Sequence, residues 1–96
     1  MIYEWDEAKR VANLKKHGLD FTDAALVLES DYVLIVDSPR RDEMRHQAFA
    51  YVFEVLAVLS VAFIPGEDRC RIVSFRPARR DERSLYHEWL ENYFDE

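Results

Sequence analysis

Val55-Leu56-Ala57-Val58-Leu59-Ser60-Val61-Ala62-Phe63 carries apolar or small side chains at odd and even positions alike. Successive residues of a strand point to opposite faces, so such a run suits a central strand covered on each side. The whole apolar stretch, Val55 to Pro65, falls well short of the roughly 20 residues that a membrane helix needs. A strand buried on both faces is therefore the element from which the fold is built outward.

Downstream, Pro65-Gly66-Glu67-Asp68 is a turn cluster and Arg69 to Arg76 reads as the last strand. Pro77 is placed early in a final helix, where its missing N–H costs nothing. That helix repeats apolar residues at Ala78, Leu85, Tyr86, Trp89, Leu90 and Tyr93, and Trp89 and Tyr93 are expected in the core. Glu82 falls on the same stripe, an unusual place for a carboxylate. Upstream, Arg45 to Phe53 alternates, with Gln47, Phe49, Tyr51 and Phe53 on one side, and Tyr32 to Asp37 is a β-rich run stopped by Ser38-Pro39. A short helix fits Thr22 to Glu29, with Phe21, Ala24, Ala25 and Leu28 on one face. Before it, Asp6 and Gly18 read as the two caps of a helix whose buried stripe is Trp5, Ala8 and Ala12. Ile2 to Trp5 opens the chain as a strand. The order β-α-α-β-β-β-β-α predicts a single α+β domain, an antiparallel sheet with two N-terminal helices and one C-terminal helix.

Ninety-six residues, 49% of them hydrophobic, suffice for one core, and two glycines and three prolines leave little room for long loops. Cys70 is the only cysteine, which excludes an internal disulfide and a cysteine-rich zinc site. The opening Met-Ile-Tyr-Glu-Trp-Asp has no charged-then-apolar signal pattern, which predicts the cytoplasm and no membrane attachment. A net charge of −6 speaks against nucleic acid as a whole-surface partner. The charge is unevenly spread, however. Glu88, Glu91, Asp95 and Glu96 supply −4 of it, whereas nine of the thirteen basic residues are Arg40, Arg41, Arg45, Arg69, Arg71, Arg76, Arg79, Arg80 and Arg83. A local basic patch and a mixed solvated surface are both compatible with that distribution.

No glycine-rich phosphate loop, HExxH motif or Gly-x-Ser-x-Gly elbow occurs. What stands out are Arg, Lys, His, Glu and Tyr residues at element ends. Metal-free RNA cleavage asks for a base at the 2′-hydroxyl, an acid at the leaving 5′-oxygen and cations around the phosphate. Lys9, Asn13, Lys16 and His17 share a helix face, Glu43 and Arg45 follow a turn, and Arg76 and Arg83 flank the start of the last helix. Each set has a plain alternative: a solvated face, a surface pair, and an Arg–Glu82 bridge. His46 and His87 read as surface or packing residues.

In order, these residues resemble the BrnT toxins. The N-terminal signature is Trp5-Asp6-x-x-Lys9-x-x-x-Asn13-x-x-Lys16-His17-Gly18-x-x-Phe21-x-x-Ala24, and the middle one is Asp37 with Glu43-x-Arg45. The C-terminal one is Arg71-Ile72-Val73-Ser74-x-Arg76-x-Ala78-x-x-x-Glu82-Arg83-x-x-Tyr86. The resemblance implies a RelE-like fold and an endoribonuclease that needs no metal or cofactor and arrests growth by cutting RNA. It also implies a BrnA-like ribbon-helix-helix antitoxin, with operator DNA contacted only through that partner. On this reading His17 or Glu43 transfers protons, and Arg45, Arg76 and Arg83 hold the phosphate. Tyr86 stacks on a base or donates a proton, and Lys9, Lys16 and Arg79 bind RNA.

The sequence departs from the family pattern at Asp42, where glycine is usual, and at Tyr51-Val52-Phe53-Glu54-Val55, which lacks the usual glycines and Gly-Arg pair. It departs again at Phe63-Ile64-Pro65-Gly66, where Tyr-Thr and a following Arg are usual. These departures and the acidic balance favour an alternative, a RelE-like binding module that captures an antitoxin and supports operator repression. A housekeeping RNA-binding or nuclease domain without an antitoxin is the third reading.

Overall fold

The computed structural model describes residues 1–40 and 43–95. Arg41 and Asp42, counted above with the basic stretch and the middle motif, lie outside the described residues. Five strands form one sheet in the order β1-β5-β4-β3-β2. They are β1 (Ile2–Glu4), β2 (Leu34–Asp37), β3 (His46–Val52), β4 (Ala57–Pro65) and β5 (Arg69–Pro77). The apolar run supplies the middle strand, β4, but only from Ala57 onward: Val55 and Leu56 lie exposed in the turn before it. Val61, Leu59 and Phe63 pack with Ala48, Ala50, Ile72 and Phe75 on one face, and Val58 packs with Phe49, Ala78 and Tyr86 on the other. Helix α1 (Glu7–His17), a 3₁₀ turn Phe21–Asp23 and α2 (Ala25–Leu28) accompany the first face, while α3 (Arg80–Phe94) covers the second.

The sheet is mixed rather than antiparallel: β2–β3, β3–β4 and β4–β5 are antiparallel, but β1 runs parallel to β5. The antiparallel pairs are the ones joined directly in sequence, so a turn sets their direction. No hairpin joins β1 to β5, and its orientation is set by what it meets, including a Glu4–Arg69 ion pair of 3.3 Å.

The expected helix from Thr22 to Glu29 divides into the 3₁₀ turn and the single turn of α2. Phe21, Ala24 and Val27 are its fully buried residues, and spacing by three favours the tighter winding. Asp6 and Gly18 cap α1 as expected, Asp6 accepting from the Lys9 N–H and Gly18 adopting φ 71°. The buried stripe of α1 is different from that expected, because Ala8 and Ala12 are exposed and Asn13 is buried. Pro77 ends β5 instead of opening α3. Its neighbour Ala78 donates its N–H to the Val58 carbonyl (3.0 Å), which prolongs the ladder and delays the helix until Arg80. At the far end of α3, Trp89 is half-buried, but Tyr93 is exposed and meets Tyr32 edge-on at 5.8 Å rather than entering the core. Phe53 falls in the four-residue turn before β4 and is exposed.

One irregularity positions the site. Opposite Ala62 and Phe63 the partners on β5 are Ser74 and Ile72, which leaves Val73 as an extra, bulged residue. The bulge resets the alternation. Phe75 thereby shares a face with Cys70 and Ile72, and Arg76 is turned to the side covered by α3.

Candidate active site

Arg76 closes β5 facing the first turn of α3, and Glu82 in that turn receives it. Its Nη1 and Nη2 donate to the two carboxylate oxygens of Glu82 at 2.7 and 2.9 Å, a bidentate pair that orients both groups. Nη1 also donates to the Pro77 carbonyl at 3.2 Å. Arg79 adds its backbone N–H at 2.8 Å and its Nη2 at 3.2 Å to the same carboxylate. From β3, Gln47 makes a long contact of 3.5 Å. Glu82 is only 5% exposed; its place on an apolar stripe is explained by these donors and by the positive end of the helix dipole. The Arg76 hydrogen bonds are the main cause that pulls its pKa from 4.5 to about 2, against burial and with help from the Arg79 N–H and the two guanidinium charges. The same bonds raise the pKa of Arg76.

Two more predicted residues reach this junction. Arg83 donates from Nη1 to the Ala78 carbonyl at 3.0 Å, which holds its guanidinium at the start of α3. His17, half-buried at the end of α1, has its pKa lowered by burial first and then by the charges of Lys16 and Arg76. An imidazole below its usual 6.5 is mostly neutral at pH 7 and able to accept a proton. Arg76 and Arg79 thus meet at Glu82, Arg83 is held beside them at Ala78, and His17 is near enough to feel the charge of Arg76.

The other predicted residues are placed differently. Glu43 and Arg45 pair with each other before β3, on a segment whose alternation puts Arg45 on the Gln47 side. Lys9 is exposed on α1. Tyr86 is 2% exposed, and its hydroxyl donates to the Tyr32 carbonyl at 2.7 Å. Its ring has no face open to a base. His46 stacks on Phe63 at 5.7 Å with Nδ1 3.0 Å from an Asp37 oxygen, and His87 lies exposed beside Tyr86.

Neither Gln47 nor Asn13 is among the binding residues expected from the sequence. Gln47 is the one polar member of an inward row with Phe49 and Tyr51, and that contrast is its sequence signal. Asn13 gives no such signal beyond its place in the N-terminal motif. Its amide donates to the Phe75 carbonyl (2.7 Å) and the Leu19 carbonyl (3.0 Å), and its oxygen accepts the Phe75 N–H at 3.2 Å. It thus fixes α1, and His17 one turn further on, against β5. Among the described residues no three His, Cys, Asp or Glu side chains gather as a metal would require, and no helix is long and apolar enough to cross a membrane. The assembled chemistry is a cluster of arginines, one of them paired bidentately with a buried carboxylate, beside an imidazole whose pKa is lowered.

No curated protein matches the chain. A family model described as the ribonuclease toxin BrnT of type II toxin–antitoxin systems matches residues 5–82. That span runs from Trp5 through Glu82 and so includes α1, the sheet from β2 to β5, and the Arg76–Glu82 pair. The chain belongs to the BrnT family of ribonuclease toxins.

Proposed function

We propose that this protein is a metal-independent endoribonuclease toxin with a RelE-like fold, working at the β5–α3 junction. It arrests growth when free and is neutralised by a BrnA-like ribbon-helix-helix antitoxin, which alone contacts operator DNA. The observation that carries the reading is the convergence of Arg76, Arg79 and Arg83 with a half-buried, neutral His17. The arginines bind the scissile phosphate and balance the charge that grows on its oxygens. His17 accepts the 2′-hydroxyl proton as the 2′-oxygen attacks phosphorus. The bond from phosphorus to the 5′-oxygen breaks, and the imidazolium returns the proton to that oxygen, leaving a 2′,3′-cyclic phosphate. Lys9 and Lys16, exposed on α1, steer the RNA backbone.

Purified protein incubated with RNA in excess chelator tests this directly. Cleavage to cyclic-phosphate ends is expected, with a loss of about 100-fold in Arg83→Ala by analogy with other anion-site deletions. The rate should fall on the acid side of 6.5, as His17, whose pKa lies below that ordinary value, takes up a proton, and His17→Ala should lose that acid limb. Induction in a bacterial host should arrest growth for the parent chain and not for Arg83→Ala.

A second reading has its own observation: the fork of Arg76 is already filled by Glu82, which leaves fewer donors for a phosphate. Intact RNA from soluble, folded protein would replace the nuclease with a binding module that captures an antitoxin.

A further inference from the structure

The two borders of the sheet are finished differently. Beyond the three residues paired with β1, the outer side of β5 meets Asn13, whose amide bonds both backbone groups of Phe75. At the opposite border, among the described residues, β2 pairs only with β3. The Ser38 N–H donates to Arg45 at 2.8 Å, and alternation of an antiparallel ladder then turns the backbone groups of Leu34 and Val36 inward. Those of Ile35 and Asp37 point outward. Leu34, Ile35 and Val36 include no lysine, proline or bulge of the kind that blunts an exposed edge.

Apolar surface borders this edge on both faces. Ile35 is 50% exposed and lines a cavity of about 260 Å³ with Leu28, Phe63 and Cys70. On the α3 side, Tyr32 just before β2 packs against Tyr93 and Phe94 at 5.8 and 5.1 Å, and all three rings are substantially exposed. The same end of α3 carries exposed Glu88, Glu91 and Asp95, with no Lys or Arg after Arg83.

We propose that the outer edge of β2 is the docking site for an extended, Lys/Arg-rich segment of the protein partner, which adds to the sheet as a sixth strand. Backbone groups of Ile35 and Asp37 supply the ladder. The Tyr32–Tyr93–Phe94 cluster takes an apolar or aromatic residue of the added strand, and its basic residues lie against Glu88, Glu91 and Asp95. A second copy of this chain would bring a like-charged acidic end to the same place, so charge favours a basic partner over self-pairing. The inference rests on the toxin reading only in naming the antitoxin as that partner.

The probe is a synthetic peptide of about twelve residues alternating valine with lysine or arginine and carrying one tyrosine, beside a copy with glutamate in place of every basic residue. Binding and backbone amide exchange are measured on the full chain. Saturating basic peptide should slow exchange at Ile35 and Asp37 by about tenfold or more, and the acidic copy should not. Affinity should fall about tenfold in Ile35→Pro, which removes an outward N–H, and about tenfold in Glu88→Lys/Glu91→Lys. Thermal melting reports whether each variant folds; if the proline variant does not, the charge-reversed variant and the acidic peptide still decide. Absence of binding by the basic peptide, equal binding by both peptides, protection elsewhere than at β2, or peptide-free dimers that protect these same amides would each overturn the proposal. No RNA enters the measurement, so its failure leaves the nuclease standing, and an inactive nuclease leaves the edge proposal standing.

Discussion

The border of the sheet at β5 and the border at β2 solve one problem in opposite ways. An edge strand leaves half its backbone groups without partners. At β5 a single side-chain amide does what a neighbouring strand would do, offering one donor and one acceptor to Phe75. The site residues His17 and Arg76 sit beside that sealed stretch. At β2, among the described residues, no strand covers the corresponding groups, and the exposed rings of Tyr32, Tyr93 and Phe94 cluster just before the strand. One border is thus committed to internal order and the other is left as an open edge, so a residue's worth to stability depends strongly on which border it serves.

The largest expected effect that could break this contrast is at Asn13. Asn13→Ala strands buried backbone groups of Phe75 and should cost roughly 2–4 kcal/mol in urea unfolding; a loss below about 1 kcal/mol would mean that the edge does not need sealing. Asn13→Asp should also destabilise, because a carboxylate cannot donate to the Phe75 carbonyl.

Glu82 comes next. Its folded pKa near 2 lies below the usual 4.5, so its contribution is complete above pH 4.5 and fades as pH falls through about 2. The full effect is on the order of 2–3 kcal/mol. Glu82→Gln should lower stability at pH 7 by a comparable amount, leaving Arg76 without its carboxylate, and should flatten the acid side of the stability profile. Thermal melts between pH 7 and pH 2 that run parallel for both proteins would exclude this account.

Smaller effects are expected away from the sealed border. Leu56 holds φ 54° in the turn before β4 and is 74% exposed, a conformation that glycine adopts freely. Leu56→Gly should therefore raise stability by about 0.5–1 kcal/mol, visible as a higher melting temperature; a drop would show that Leu56 packs in some way its exposure hides. Smallest of all is Ile35→Thr at the open border, expected within roughly 0.5 kcal/mol of the parent. A cost as large as that of Asn13→Ala would erase the distinction between the two borders.

Much of this architecture is legible in the residues. The doubly apolar run marks the middle strand apart from Val55 and Leu56, which fall in the turn before it; the Pro65–Asp68 cluster marks the β4–β5 turn, though Pro65 itself closes β4; and Asp6 and Gly18 mark α1, because each is a local signal. What stays hidden depends on contacts distant in sequence. The parallel placement of β1 has no turn to announce it. Asn13 looks like any polar residue on a solvated helix face, since its partner Phe75 lies 62 positions away. Glu82 is conspicuous on its apolar stripe, and an Arg–Glu82 bridge is one of the sequence expectations, but the part played by Arg79 and Gln47 emerges only when β3, β5 and α3 are brought together. The N-terminal and C-terminal motifs mark the family over much of the chain, while the spatial grouping of His17 with Arg76 needs the fold.

The bulged Val73 works as a phase setter for the strand. A strand that kept Val73 in regular alternation after Ile72 would exchange the directions of Phe75 and Arg76, sending a charged group into the α1-side core and an aromatic ring to the α3 side, whereas deleting Val73 would leave both facing as they do. Core and site are consequently locked to a common reading frame: a one-residue shift between Ile72 and Phe75 that the bulge does not absorb disturbs both at once, whereas loss of the surplus Val73 itself spares both directions.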